Sequence, residues 1–236
     1  MTTHVTADAS AAAPPVRAPA TGLRGRKRER TRRAISEAAF RLFAEEGFDA
    51  VTLTRIAAEA DVAPATVFTH FASKEDIFFG RREEFDARLW EAVRPGSTGA
   101  ELLDGLIGAC ADACELALSD EDAIAQGRVF SRVLLGSSAL GRSYLPFMQR
   151  RQERLLEMLV ERAGPRVRAE PGLRAELELF ASFAVAVRQL VFDVLHETLA
   201  ADEPPARVRA AVRETLDRAA DRLGRAYTDS DVLDAG

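Results

Sequence analysis

Histidine and cysteine, the usual carriers of metal and nucleophile chemistry, are scarce in this chain. Its 236 residues hold three histidines, His4, His70 and His196, and two cysteines, Cys110 and Cys114. A structural zinc site needs four such ligands at fixed spacing, and the cysteine pair, one helical turn apart, has nothing to complete it. Asp193 and His196 have carboxylate-x-x-histidine spacing, but a di-iron bundle needs two such motifs and further glutamates. There is no Gly-rich phosphate loop and no nucleophile elbow. No metal, no cofactor and no enzymatic activity are therefore expected. Two cysteines make no disulfide framework, so a reducing, cytoplasmic setting is expected. The opening "MTTHVTADASAAAPPVRAPATG" lacks the apolar stretch of a secretory signal. The most apolar run, Leu179 to Leu195, is interrupted by Ser182, Arg188, Gln189 and Asp193. It reads as a buried helix, too short and too polar to span a bilayer, and no membrane partner is expected. Alternating strand patterns, hairpin signals and fixed-period repeats are also missing.

What remains is helix-forming. Leu, Ala, Arg and Glu dominate, apolar residues make up 47% and charged residues 29%, a balance that points to an all-α protein with a substantial core. Of the 32 basic residues, all but Lys27 and Lys74 are arginine. The net charge of −5 is unevenly spread: Arg24 to Arg33 holds seven basic residues against Glu29 alone. Residues 24–80 hold ten basic and nine acidic residues, so the acidic excess falls on the rest of the chain. A basic arm ahead of an acidic body fits a protein that touches a polyanion with one end. Residues 1–23, rich in Ala, Thr and Pro, are expected to be a disordered tail.

Helix 1 is expected from near Arg28 to Glu46, with Ile35, Ala38, Leu42 and Phe43 inside. Gly47 then supplies a left-handed cap, and Phe48 folds back onto Phe43. Thr52 caps helix 2, whose stripe is Leu53, Ile56, Ala57 and Ala60. Asp61 suits a left-handed turn. Helix 3 starts at Pro64 and ends by Phe71. Ser73 and Asp76 open helix 4, which runs to about Val93. Five further helices are expected at about 99–118, 121–135, 142–163, 171–200 and 204–226. Their breaks are "LSDED", "GSSALG", "AGPRVRAEPG" and "ADEPP". The expected organisation is a tail (1–23), a basic arm and helix-turn-helix unit (24–78), a helical effector-binding and dimerisation unit (79–228) and a C-terminal tail (229–236).

Two short helices about a tight turn form a helix-turn-helix when the second can enter a major groove. Val62 and Val67 would lock the pair, leaving Pro64, Ala65, Thr66, Phe68 and Thr69 outside. Ala65 and the Thr66 methyl can meet a thymine methyl, and a threonine hydroxyl can pair with base edges or phosphate. His70 and Lys74 can reach phosphates, as can the start of helix 4. The basic arm, Arg28 within it, adds charge for the neighbouring minor groove.

The stretch "AAFRLFAEEGFDAVTLTRIAAEADVAPATVFTHFASKEDIF" resembles the DNA-binding domain of the TetR family of bacterial transcriptional regulators. The likeness spans about residues 30 to 78. It implies an all-α fold, an N-terminal helix-turn-helix domain followed by a helical ligand-binding and dimerisation domain. The implied function is a homodimeric repressor released from a pseudo-palindromic double-stranded DNA operator by a small-molecule effector. An activator of the same fold, or a ligand-independent architectural DNA-binding protein, remains an alternative. By position, Thr52, Thr54, Ala65, Thr66, Phe68, Thr69, His70 and Lys74 match places that contact DNA in the family. The sequence departs from the family's pattern at Asp61 and Ala65, usually Gly, at Ala63, usually a capping residue, and at Phe68, usually Tyr. Phe68 has no hydroxyl to donate to phosphate, and losing the Ala63 cap costs about 1 kcal/mol.

In the body, Val208, Val212, Thr215, Leu216, Ala219 and Leu223 form one stripe of the last helix. The stripe serves either an intramolecular bundle or pairing with a second copy. The preceding helix is apolar nearly all round and needs cover on several sides. Polar and aromatic groups within apolar helices are the candidate effector contacts: Cys110, Cys114, Arg128, Arg132, Tyr144, Met148, Phe183, Arg188 and Phe192. A small apolar or amphipathic effector bound there is expected to shift helix 4 and so the spacing of two recognition helices.

Overall fold

The computed structural model describes residues 22–80, 90, 91, 93, 98–227 and 230–236, and every regular element among them is helical. The expected tail 1–23 lies almost wholly outside these residues. So does the stretch 81–89, on which most of the expected continuation of helix 4 falls.

Four helices build the N-terminal half: α1 (Leu23–Glu46), α2 (Leu53–Glu59), α3 (Pro64–His70) and α4 (Lys74–Phe79). They close on one core that includes Ile35, Leu42, Phe43, Ile56, Val67 and Phe78. Burying each of these side chains stabilises the fold by about 1.5–3 kcal/mol. The helix ends follow local chemistry. Thr52 Oγ1 accepts the Arg55 N–H at 3.1 Å and Ser73 Oγ accepts the Asp76 N–H at 3.0 Å. Asp61 takes φ 52° in the turn between α2 and α3. Gly47 has φ 79°, which favours glycine, but its ψ of 153° lies outside the left-handed cap expected. The Phe48 ring still returns to within 4.9 Å of Phe43.

The body comprises α5 (Gly99–Ala117), α6 (Glu121–Gly136), α7 (Ser138–Ala163), α8 (Arg166–Ala169), α9 (Leu173–Ala200) and α10 (Pro205–Tyr227), then a 3-10 turn at Asp231–Leu233. The hub is α9, which packs on α5, α6, α7 and α10. At 28 residues, α9 is long and apolar enough to cross a membrane by length and composition alone. Shortness is thus no argument against a span. Its role as the helix that four others pack on, with Arg188 and His196 buried along it, marks it as a core helix.

Several boundaries differ from expectation. Helix α1 begins at Leu23, so the basic arm forms its first turns. The "GSSALG" break shrinks to Ser137, because its hydroxyl accepts the Leu140 N–H at 3.3 Å and restarts the helix at once. A short helix, α8, occupies part of "AGPRVRAEPG". The expected C-terminal tail is docked: Leu233 is buried, Arg162 donates to its carbonyl, and Asp234 Oδ1 accepts the Gly99 N–H at 3.2 Å. The approach is close: a Cβ on Gly99 would lie 3.0 Å from the Leu233 Cβ, so a larger residue there would push the docked segment by a few tenths of an ångström. The α10 stripe is buried within the chain, Val208, Val212 and Leu216 in one cluster with Cys110, Cys114 and Leu195. The intramolecular alternative for that stripe holds.

Candidate nucleic-acid interface

Helix α3 is seated by one face only. Val67 and Phe71 are buried, while Pro64, Ala65, Phe68 and Thr69 are exposed and Thr66 is half-buried. Phe68 is 61% exposed, a large apolar ring on the outer face of a seven-residue helix. Ala63 offers no side-chain cap. Thr69 Oγ1 donates to the Ala65 carbonyl at 2.9 Å, so its oxygen remains an acceptor. Thr52 is the converse: its oxygen accepts the cap bond, which leaves its O–H to donate. Thr54, the second residue of α2, is exposed. All six, Thr52, Thr54, Ala65, Thr66, Phe68 and Thr69, thus lie in or at the ends of α2 and α3, which pack on each other.

His70 is half-buried, and its carbonyl accepts Arg32 Nη1 at 3.1 Å. The Arg32 guanidinium also lies 4.4 Å from the Phe71 ring centroid. Arg28, exposed one turn earlier on α1, stands on the face that carries Arg32 toward α3. This arm is helical, about 10–12 Å across with side chains, and a B-form minor groove is about 6 Å wide. The basic arm expected to add charge for a neighbouring minor groove is thus presented as a helix, whose arginine side chains, not its backbone, would supply that charge.

Lys74, a candidate phosphate contact, is engaged within the fold: its ammonium donates to the carbonyls of Phe48 (2.7 Å), Val51 (2.9 Å) and Asp49 (3.3 Å). It also sits 4.5 Å from the Phe48 ring centroid. An ammonium has three N–H donors, and the loop between α1 and α2 takes all three. Nearby, Arg41 and Arg55 both bond Glu59, and those hydrogen bonds hold its carboxyl below the usual glutamate range.

The effector candidates do not converge. Arg128 donates to the carbonyls of Asp202 and Glu203, and Arg132 pairs with the Asp202 carboxylate at 3.2 Å. Asp202 has φ 55°, so both arginines brace a strained turn between α9 and α10. Cys114 is buried and its thiol is pushed up to about 11, first by burial and then by the Glu115 charge. Tyr144 stacks on Phe192 at 5.6 Å, and Phe192 meets His196 at 4.0 Å. Met148 Sδ accepts Arg151 Nη1 at 3.5 Å. Phe183 is 44% exposed on the side of α9 away from the core. Arg188 is buried. Of the set, Cys110 alone lines the narrow apolar cleft among Leu103, Leu106, Leu155, Val185 and Leu223.

Sequence reasoning missed three groups. Phe130 of α6 stacks on Phe78 at 4.5 Å and joins the two halves. Arg151 is buried with its guanidinium 4.5 Å from Phe147; its spacing from Leu155 and Leu159 on one helical stripe was the available signal. Ser131 and His196 are buried with Oγ and Nδ1 2.8 Å apart. The Ser131 hydroxyl donates to the Gly127 carbonyl at 2.6 Å, so the imidazole supplies the proton between the two. That is the reverse of an activated serine, in which the hydroxyl donates to the imidazole. Among the described residues no group of three or more His, Cys, Asp or Glu could hold a metal ion.

Comparison with known proteins fits this geometry. Residues 35–80 match the family "Bacterial regulatory proteins, tetR family". The HTH-type transcriptional regulator TcmR of Streptomyces glaucescens is 35% identical over 88 residues, 37% of this chain and 39% of that protein. The match thus spans about two-fifths of the curated relative's length. Among solved structures, the SmeT–triclosan complex aligns with a TM-score of 0.53 at 19% identity, covering 88% of this chain and 96% of the other. NalD, the secondary repressor of the MexAB-OprM multidrug efflux pump in Pseudomonas aeruginosa, aligns at 0.49 with 21% identity, covering 82% and 97%. The SmeT likeness shows a shared fold across most of the chain. Through the domain at residues 35–80, the chain is similar to the TetR family of bacterial regulatory proteins.

Proposed function

We propose that the protein is a cytoplasmic, sequence-specific DNA-binding regulator of transcription, a homodimeric repressor released from its operator by a small apolar effector. Residues 24–78 are the DNA-binding unit and 79–228 the effector and dimerisation unit. The observation that carries the reading is α3: one face locked by Val67 and Phe71, the other exposing Ala65, Phe68 and Thr69. A helix presented this way can enter a major groove, with Thr66 and Ala65 at base edges. Thr52, Thr54 and Arg28 then face phosphates, and His70 reaches backbone at the far end.

A second copy is the natural cover for α9. Leu179, Phe183, Ala186 and Leu190 recur at intervals of four, three and four residues and are all exposed. That is a heptad seam, and two copies of one helix can bury it about a two-fold axis. The Phe183→Glu/Leu190→Glu double variant is expected to sediment as a monomer where the wild type sediments as a dimer. A wild-type monomer at micromolar concentration would contradict the dimer.

For the effector, the apolar cleft at Cys110 is water-sized as it stands, so a ligand must part α5 from α9 to enter. SmeT, which shares the fold, holds triclosan in its complex. A cleft lined by leucines and valines favours an uncharged, apolar molecule of that general kind.

The test is a binding selection with the purified protein against random duplex DNA at about 150 mM salt, where non-specific phosphate binding is weakened. An inverted repeat with half-sites about one DNA turn apart is expected. Sequence-blind, salt-sensitive binding alone would refute the reading.

A further inference from the structure

The loop between α1 and α2 is held from two directions. From one side Lys74, the first residue of α4, grips the carbonyls of Phe48, Asp49 and Val51. From the other, Ser137 Oγ donates to Asp49 Oδ1 at 2.9 Å. Ser137 is the single residue between α6 and α7, and it is buried. Its oxygen accepts the Leu140 N–H, so its one proton is left for Asp49. The loop then runs directly into Thr52, the cap of α2.

The neighbouring contacts across this junction are apolar: Phe78 with Phe130 at 4.5 Å, Phe40 with Phe130 at 6.1 Å, Phe79 with Tyr144 at 5.9 Å, and Leu140 buried in the same cluster as Phe78. Apolar contacts are non-directional, so they set the angle between the two halves less sharply than a directional bond does. A hydrogen bond weakens steeply with angle. We infer that Asp49 is a positioning residue: its bond to Ser137 pins the angle between the DNA-binding half and the body. In a dimer that angle sets the distance between the two recognition helices. An effector that displaces the α6–α7 elbow would move Thr52 and α2 through this loop, in addition to any movement of α4.

The inference rests on the proposed dimeric operator binding, and its test separates the two. The operator recovered from the selection is rebuilt with its half-sites moved apart or together by one and two base pairs. The full-length wild type, Asp49→Ala, Asp49→Asn and Asp49→Ala/Ser137→Ala are titrated against the series, with thermal melting measured in parallel. The wild type should prefer one spacing. Asp49→Ala should shrink that preference by about three- to tenfold, the size of one lost hydrogen bond, while melting stays close to wild type. Asp49→Asn keeps an acceptor and should restore the preference, and the double variant should be no worse than Asp49→Ala. A wild type that discriminates beside an Asp49→Ala variant that discriminates equally well overturns the inference and leaves the proposed function standing. A wild type indifferent to spacing overturns both.

Discussion

The two halves of this molecule place polar and aromatic side chains in opposite ways. In the N-terminal half, Phe68, Thr54, Thr69 and Ala65 are left outside by a core that does not need them. In the body, the comparable groups are consumed by the fold: Arg128 and Arg132 on the turn at Asp202, Tyr144 and Phe192 on each other, Cys114 inside a leucine and valine cluster. A surface that reads DNA must be convex, so its residues are those left over after packing. A pocket must be concave, and its lining draws on the same residue types as the core. The first can be found by asking what a short helix pair fails to bury. The second cannot be told from packing by residue type.

Phe78 gives the largest expected effect and blurs the comparison, because its buried ring packs against both halves. Phe78→Ala should cost about 3–5 kcal/mol in chemical denaturation, and its loss should be felt in both halves. A cost under about 1 kcal/mol would mean that the stack with Phe130 adds little to the fold.

Lys74 sharpens the contrast between reading and bracing within the N-terminal half. Lys74→Met should cost about 1–2 kcal/mol of stability by freeing three carbonyls. The slope of operator affinity against salt should stay at its wild-type value, because no phosphate contact is lost. A slope shallower by about 0.9 with stability unchanged would restore the phosphate role instead.

The smallest stability effect is a gain. Ala63→Ser supplies the missing cap of α3 and should add about 0.5–1 kcal/mol in the same denaturation assay. No gain would mean that the first turn of α3 is already satisfied by other means.

What could be read from the sequence follows the range of the interactions. Thr52 and Ser73 cap residues three positions on, and Phe48 returns to Phe43 five positions back, so all three were legible. Asp61, with its positive φ, was legible from its intrinsic tolerance of that conformation. Ser137 was hidden because a capping serine inside "GSSALG" looks like loop. The binding of Lys74 to carbonyls 23 to 26 positions earlier and the docking of Leu233 near Gly99 depend on the assembled fold. The α10 stripe was legible as a stripe, but nothing local told whether its partner was this chain or a copy. The exposed seam of α9 lay hidden for the related reason that an all-apolar helix does not announce which face is left uncovered.

The proposed function stands on α3 reading bases. Its most direct measurement is the affinity of wild type and Thr66→Ala for the recovered operator and for each single-base change in one half-site, with the salt slope recorded for both proteins. Thr66→Ala should relax preference at one position of the half-site by about 1–3 kcal/mol and leave the salt slope unchanged. A uniform loss of affinity across all positions, with the base preferences intact, would contradict it.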